Sequence, residues 1–226
     1  MVTRDQALPG RASRPFALAG THTVLGTPID GGPDGAAWPA GTQVLYVAMG
    51  CFWGSERIFW RLPGVVTTAA GYMGGFTENP TYEEVCTGRT GHTEAVLVAY
   101  DPAATTPELL LKAFWENHDP TTENRQGNDI GTQYRSAIYW TTPEQEAAAR
   151  GTARAFQGVL DESGFGRIST QLASAEEAGA FWYAEDAHQQ YLDKHPGGYC
   201  NHGPNGLTCP VGVADLPAQT DIVPPR

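Results

Sequence analysis

The cysteines offer the most distinctive chemistry in this chain. Cys51 lies in Gly50-Cys-Phe-Trp-Gly54, between an apolar run and a segment with helical periodicity, whereas Cys200 and Cys209 follow in Gly/Pro/Asn-rich sequence. A thiolate is a strong nucleophile, and the free amides of a helix that begins after Cys51 would stabilise its charge. Cys51 is therefore the candidate nucleophile. The alternative that its position leaves open is a cysteine packed in the core beside two aromatic residues.

Hydroxyl and carboxyl side chains occur where other predicted elements begin or end. Tyr82 lies in a polar stretch, Glu94 begins a strand, and Asp129 and Tyr134 occupy a turn-rich loop before another strand. Taken singly, a loop aspartate usually caps a turn and a glutamate at a strand end is usually solvated. Functional sites are nevertheless commonly built at such positions, so these four residues are candidates for proton transfer and hydrogen bonding.

The hydrophobic pattern predicts the elements that position these residues. Strands are predicted at 43–49, 65–70, 94–100, 134–140 and 168–172, and helices at 55–60, 106–118, 142–162 and 176–194. Two helices have a threonine at the N-cap position followed by a proline, a strong start signal. This order predicts an α+β two-layer sandwich, in which a mixed β-sheet with a ferredoxin-like β-α-β-β-α-β core carries extended N- and C-terminal arms.

The composition divides the chain into three parts. Residues 1–40 are rich in Gly, Pro, Ala and Thr without periodicity, which predicts an irregular N-terminal extension, either draped on the domain or partly disordered. Residues 41–200 form the predicted catalytic domain. Residues 201–226 are predicted to be a flexible C-terminal tail that carries Cys209.

Charge and hydropathy narrow the possible partners. Fourteen basic and 25 acidic residues give a formal net charge of −11, which repels nucleic-acid backbones and anionic membranes. We find no apolar run of the roughly 18 residues that a spanning helix needs, and no secretory signal pattern. These features predict a cytoplasmic protein. Thiols are kept reduced there, so the four cysteines are expected to pack, bind metal or take part in redox chemistry.

Several motifs in fixed order carry a family resemblance. They are Gly50-Cys-Phe-Trp-Gly54, Gly71-Tyr-Met-Gly-Gly75, residues 80–95, His118-Asp-Pro-Thr121, residues 126–136 and residues 184–191. With them, the sequence resembles the A-type peptide methionine sulfoxide reductases over roughly residues 42–200. The resemblance implies thiol-dependent reduction of protein-bound and free methionine S-sulfoxide, in the repair of oxidised proteins.

The resemblance also implies a role for each candidate residue. Cys51 would attack the sulfoxide sulfur and Glu94 would protonate its oxygen, while Tyr82 and Tyr134 hold that oxygen, Asp129 supports the polar site, and Phe52 and Trp53 wall the methyl group. The chemistry needs these types, because a sulfoxide becomes a good electrophile only when its oxygen takes a proton. A carboxylic acid that an apolar pocket keeps neutral can supply that proton.

The tail cysteines would complete the catalytic cycle. The resemblance implies that Cys200 resolves the sulfenic acid left on Cys51, and that Cys209 passes the disulfide to thioredoxin. No cofactor and no metal are implied. The expected partners are thioredoxin and oxidised proteins or peptides, and we expect a monomer.

Three other functional interpretations stay open. A cysteine hydrolase or acyltransferase would use Cys51 with a histidine base such as His118 or His188. A sulfoxide-binding module would need no resolving thiols. A structural zinc site would use Cys200, His202, Cys209 and His195, although their spacing matches no usual zinc-finger pattern. Cys86 is expected to be a buried packing residue, and His188 a hydrogen-bonded structural one.

Overall fold

The computed structural model describes residues 2–32 and 35–210. It contains eight β-strands, numbered here in chain order: β1 Gln43–Met49, β2 Val65–Met73, β3 Thr93–Tyr100, β4 Arg125–Gln126, β5 Asp129–Ile130, β6 Ser136–Trp140, β7 Gln171–Ser174 and β8 Trp182–Tyr183. The α-helices are α1 Phe52–Phe59, α2 Tyr82–Cys86, α3 Pro107–Glu116, α4 Pro143–Glu162, α5 Ala175–Ala178 and α6 Tyr191–Lys194.

One mixed sheet organises the chain. Its six strands have the order β7-β6-β1-β3-β2-β8, and every neighbouring pair is antiparallel except β6 and β7. Within it, β1-α1-β2-β3-α3-β6 forms the ferredoxin-like unit, so the predicted α+β class is confirmed. The short strands β4 and β5 pair separately in the loop that the sequence predicted to be turn-rich.

Helices cover one face of this sheet, and irregular segments cover the other. Side chains of α1, α3 and α4, among them Phe59, Trp115 and Phe156, pack on the sheet in the main hydrophobic cluster. On the opposite face, Ile29 of the N-terminal extension packs with Leu97 of β3. With both faces covered, all eight residues of β3 are buried, and a polar side chain on that strand is removed from water.

The predicted helix over 176–194 is wrong. The structure has two four-residue helices there, α5 and α6, separated by β8 and by turns. Gly179 with φ 85° follows α5, and Gln190 in the left-handed region with φ 46° precedes α6. Glu185 and Gln190 bond to distant elements, so tertiary contacts override the local helical preference.

Smaller differences concern strand ends and the N-terminal extension. The strand predicted at 168–172 is β7, three residues later, and α2 was not predicted. The described part of the extension is draped on the domain and includes a short 3₁₀ turn at Arg4–Gln6 and a bridge between Thr21 and Pro28. Across the described residues, no helix has the length and apolar character to cross a membrane.

Candidate active site

Cys51 occupies the junction between β1 and α1. Gly50 turns the chain with φ 95°, and Cys51 is the N-cap residue of the helix. A side chain at Gly50 would meet Gln126 at 2.5 Å, so glycine serves both the turn and the close approach. The Cys51 residue is 6% exposed, which leaves its thiol inside the rim of the domain.

Burial controls the ionisation of this thiol. It raises the pKa of Cys51, and the nearby Glu94 carboxylate raises it further. Hydrogen bonds from the amides of Trp53 and Gly54 lower the pKa, as the position at a helix end predicts, but they are weaker. The expected stabilisation of a thiolate is therefore outweighed by burial, and Cys51 holds its proton at neutral pH.

Glu94 lies on β3, close to the candidate nucleophile Cys51. Glu94 is 1% exposed, and its Oε2 accepts a hydrogen bond of 2.9 Å from the backbone N–H of Phe52. Burial raises the pKa of Glu94 to about 8, while the Phe52 amide lowers it and the Asp129 charge raises it. At neutral pH this carboxyl group is mostly neutral and can donate a proton.

Tyr82 and Tyr134 face the same site from two different elements. Tyr82 is the first residue of α2, and Tyr134 ends a 3₁₀ turn before β6. Burial raises the pKa of both phenols, and the Glu94 charge is the next cause for each. Both side chains therefore keep their protons and can act as hydrogen-bond donors beside the acid.

Aromatic rings line the apolar side of the site. Phe52 is 1% exposed, and its ring lies 6.4 Å from the ring of Tyr82. Trp53 is partly buried and stacks on Tyr191 at 3.8 Å between ring centroids. The Trp53 indole N–H donates to Nδ1 of His188 at 3.1 Å. These contacts hold the indole ring in one orientation.

Three residues beside these rings, Tyr72, Glu185 and Tyr191, were not assigned roles from the sequence, whereas His188 was expected to be a hydrogen-bonded structural residue. Glu185 accepts from the Tyr72 hydroxyl at 2.9 Å and from the Tyr82 amide at 2.8 Å, and so joins β2 to α2. His188 and Tyr191 pack on Trp53. Glu185, His188 and Tyr191 fall in one of the resembling segments, which was the available signal; their contacts depend on residues more than 100 positions away.

Asp129 binds the segment that carries Cys200. Its carboxylate accepts from the Tyr199 hydroxyl at 3.0 Å and from the Asn201 side-chain amide at 2.6 Å. Its charge also raises the pKa of Glu94 and Tyr134. Asp129 therefore contacts both parts of the candidate chemistry, the polar pocket and the second thiol.

Cys200 lies against helix α1. Its Sγ accepts a hydrogen bond of 3.0 Å from the Arg57 guanidinium. His202 anchors the same segment through Nε2, which lies 2.6 Å from the Met49 carbonyl. A side chain at Gly54 would come within 2.4 Å of His202 and 3.0 Å of Cys200. The second glycine of the motif therefore leaves the space in which Cys200 docks.

Cys209 is held in the core, which differs from the mobile thiol expected on the tail. It is fully buried in the main hydrophobic cluster, and burial raises its pKa to about 11. Its amide donates to the Glu116 carboxylate at 2.8 Å, and Lys112 donates to its carbonyl at 3.2 Å. Residues 211–226 of the predicted tail lie outside the described residues.

The remaining predicted residues do not assemble a second type of site. Cys86 is exposed, which contradicts the expectation of a packing residue; Val85 is the buried member of α2. His118 bonds to Phe114 and Ser136. The candidate zinc ligands separate, because His202 bonds to Ser55 of α1 and Cys209 bonds to Glu116 of α3. No group of three metal-ligating side chains occurs within residues 2–32 and 35–210.

Comparison with known proteins identifies close relatives. The family model described as peptide methionine sulfoxide reductase matches residues 43–208. The chain is 58% identical to peptide methionine sulfoxide reductase MsrA of Salinispora arenicola, over 95% of this chain and 94% of that protein. It is 56% identical to peptide methionine sulfoxide reductase MsrA 1 of Caulobacter vibrioides, over 94% of each.

Solved structures agree in fold. Methionine sulfoxide reductase A of Corynebacterium diphtheriae has a TM-score of 0.80 and 45% identity, covering 92% of this chain and 97% of that one. Mxr1 from Saccharomyces cerevisiae in reduced form has a TM-score of 0.62 and 33% identity, covering 76% of this chain and 91% of that one.

The docking of Cys200 on Gly54 is testable. Gly54→Ala should dislodge the segment, because the new Cβ would overlap the His202 ring. We expect faster alkylation of Cys200 in the reduced protein, measured by peptide mapping after a timed iodoacetamide pulse. Gly158→Ala in α4 is the matched control, since nothing lies near its Cβ position. Equal alkylation rates in both variants would contradict the docking role.

Proposed function

The chain belongs to the peptide methionine sulfoxide reductase family, and from this premise we propose that Cys51 is its nucleophile and a neutral Glu94 its acid. The protein is an oxidoreductase that reduces methionine sulfoxide to methionine. One observation carries the assignment of the site: the buried Glu94 carboxyl group bonds to the amide of the residue that follows Cys51. Acid and thiol are thereby fixed side by side.

The proposed first step transfers one oxygen atom. The Cys51 sulfur attacks the sulfoxide sulfur while Glu94 protonates the sulfoxide oxygen, and the proton lost from the thiol restores the acid. The new S–S bond and the S–O bond of the substrate then break as the hydroxyl group moves to the Cys51 sulfur, so that methionine leaves and Cys51 becomes a sulfenic acid. A neutral acid supports this step, because the sulfoxide sulfur becomes a good electrophile only when its oxygen takes a proton.

The surrounding side chains fit the two ends of a sulfoxide group. The protonated phenols of Tyr82 and Tyr134 can donate to the oxygen as charge develops on it. Phe52 and Trp53 offer apolar surface to the methyl group. Asp129 supports the polar side and, through Tyr199 and Asn201, the approach of Cys200.

The second half of the proposed cycle is a disulfide relay. The Cys200 thiol condenses with the sulfenic acid, which forms the Cys51–Cys200 disulfide and releases water. The Cys209 thiol then attacks Cys200, which frees Cys51 and leaves a Cys200–Cys209 disulfide. A thioredoxin dithiol reduces that bond and is itself oxidised to a disulfide. No further cofactor enters the balance.

The relay requires Cys209 to leave the core. In the reduced protein it is bound to Glu116 and Lys112 of α3, whereas Cys200 is bound to Arg57 of α1. The Asn205 amide also bonds to the carbonyls of Trp115 and His118. We propose that these bonds break after the Cys51–Cys200 disulfide forms, so that thioredoxin meets an exposed bond.

The proposal extends to the setting of the enzyme. Four free thiols and thioredoxin-dependent recycling suit a reducing compartment, so we place the enzyme in the cytoplasm as a monomer. Its substrates are oxidised proteins and peptides that contain methionine S-sulfoxide, together with the free sulfoxide.

Stereochemistry tests the pocket. The apolar rings of Phe52 and Trp53 and the hydroxyl groups of the two phenols favour one orientation of the methyl group and the oxygen, so only the S sulfoxide should be reduced. The measurement is methionine release from separated S and R epimers in single turnovers. Cys51→Ser should release none from either epimer. Equal rates on the two epimers would contradict the assignment.

The pH dependence tests Glu94. Below about pH 8 Glu94 and Cys51 both hold protons, and this is the state from which the proposed step begins. The second-order rate constant for methionine release should therefore be level below about pH 8 and fall as the pH rises through that value, because Glu94 then loses the proton that it donates. Glu94→Gln should lower it by about 10²–10⁴-fold and abolish that inflection. An unchanged profile in the variant would remove Glu94 from the mechanism.

Single cysteine variants test the relay. Cys200→Ser should release one methionine and retain a sulfenic acid on Cys51, detected with a 1,3-dione probe. Cys209→Ser should form the Cys51–Cys200 disulfide normally but turn over slowly with thioredoxin. Cys86→Ser is the control and should match the parent enzyme. If Cys209→Ser recycles at the parent rate, thioredoxin reduces the first disulfide directly.

A further inference from the structure

The N-terminal arm, defined here as residues 2–32, lies outside the segment matched by the family model, 43–208. We propose that this arm is a positioning element of the substrate pocket: one part fixes the helix start that presents Tyr82, and another fixes the turn behind Trp53. The inference rests on the proposed function, since it takes both residues as substrate contacts. Two separate anchors carry it.

The first anchor is the guanidinium of Arg11. It bonds to both carboxylate oxygens of Glu84, at 2.5 and 2.9 Å, and to the Asn79 carbonyl at 2.6 Å. Glu84 closes the capping box of α2 with Thr81, and Tyr82 is the first residue of that helix. A forked, charge-assisted pair fixes geometry as well as charge. Arg11 therefore secures the helix end that presents the phenol.

Backbone contacts keep this part of the arm close to the domain. The Leu8 amide donates to the Arg89 carbonyl at 3.0 Å, and the Arg11 amide donates to the Glu78 carbonyl at 3.1 Å. A side chain at Gly10 would lie 2.4 Å from the Glu78 nitrogen. Arg11 thus projects from a stretch whose path is already fixed, so its pairing with Glu84 is preorganised.

The second anchor is a buried chain of hydrogen bonds that begins at His22. This residue is fully buried, and its Nδ1 accepts from the amides of Val24 and Leu25, each at 3.1 Å. The ring proton is therefore on Nε2, which donates to the Thr68 hydroxyl at 2.9 Å. Thr68 donates in turn to the Glu56 carboxylate at 3.0 Å.

Glu56 connects this chain of hydrogen bonds to the turn before α6. It accepts from the Gln190 amide at 2.8 Å and from the Gln190 side chain at 2.7 Å. Gln190 has φ 46°, a backbone conformation that a residue other than glycine keeps only when its surroundings enforce it. From the arm, the Thr23 hydroxyl also donates to Asp193 of α6 at 2.6 Å.

The consequence for the pocket follows from the neighbours of Gln190. Tyr191 stacks on Trp53, and His188 accepts from the Trp53 indole. Loosening the turn would therefore free the indole ring, which is proposed to contact the substrate methyl group in both ground and transition states. Uniform binding of that kind affects the half-saturating substrate concentration rather than the maximal rate.

Matched threonine variants separate positioning from general stability. Thr23→Val removes the hydrogen bond from the arm to Asp193 of α6. Thr27→Val removes a similar hydrogen bond, of 2.8 Å, from the arm to the Val66 carbonyl of β2. Val66 lies six residues, about 20 Å along the strand, from Tyr72, which bonds to Glu185 beside the pocket. The control therefore removes a bond far from the pocket. His22→Phe removes the buried donor, and His22→Gln retains one.

The measurement is the rate of methionine release in single turnovers, at varied concentrations of a peptide S-sulfoxide. Thr23→Val and His22→Phe should raise the half-saturating concentration by about 2–10-fold, the worth of one hydrogen bond, with the maximal rate within about twofold. Thr27→Val should match the parent, and His22→Gln should recover most of the affinity. If His22→Phe does not fold, the two threonine variants decide the question.

The Arg11 anchor has a different signature, because Tyr82 is proposed to bind the oxygen on which charge develops. Arg11→Gln should lower the maximal single-turnover rate by about 2–10-fold. Arg4→Gln is the control, since Arg4 lies over the Phe76 ring and does not bond to α2. Equal behaviour of Thr23→Val and Thr27→Val, or of Arg11→Gln and Arg4→Gln, would overturn the corresponding anchor. A parent enzyme that fails to reduce the S-sulfoxide would instead contradict the proposed function.

Discussion

The hydrogen bond between the Phe52 amide and the Glu94 carboxyl group is the contact on which the site depends. It joins the start of α1 to the central strand β3, and it spans 2.9 Å between two residues that are each 1% exposed. Because Cys51 immediately precedes Phe52, this one bond fixes the distance between thiol and acid. It also satisfies a helix-terminal N–H that would otherwise be buried without a partner.

Burial explains why the ionisable groups of the site hold their protons. It is the largest cause of the raised pKa at Cys51, Glu94, Tyr82 and Tyr134 alike. An apolar, two-sided sheet thereby creates a neutral acid and two neutral phenols together. The same burial opposes ionisation of the Cys51 thiol. Its effect on the pKa outweighs the lowering by the backbone amides at the start of α1.

The two tail cysteines are bound to different helices, although they lie only nine positions apart. Cys200 docks on α1 beside Arg57, and Cys209 packs against α3 beside Glu116. Each thiol in the reduced protein is thus held by bonds of its own. A relay between them needs the intervening segment to rearrange, and the contacts of Asn205 and Cys209 with α3 are the ones that must yield.

The sequence by itself determined the elements whose signals are local, and the family. The starts of α3 and α4 follow from a capping threonine and a proline, and β1 and β3 from their apolar runs. Only the tertiary structure decided the region 176–194, the burial of Cys209 and the exposure of Cys86. The physical reason is the separation of the interacting residues along the chain. Gln190 keeps its left-handed backbone through hydrogen bonds to Glu56, which is 134 positions away. Local propensity carries no information about such a partner.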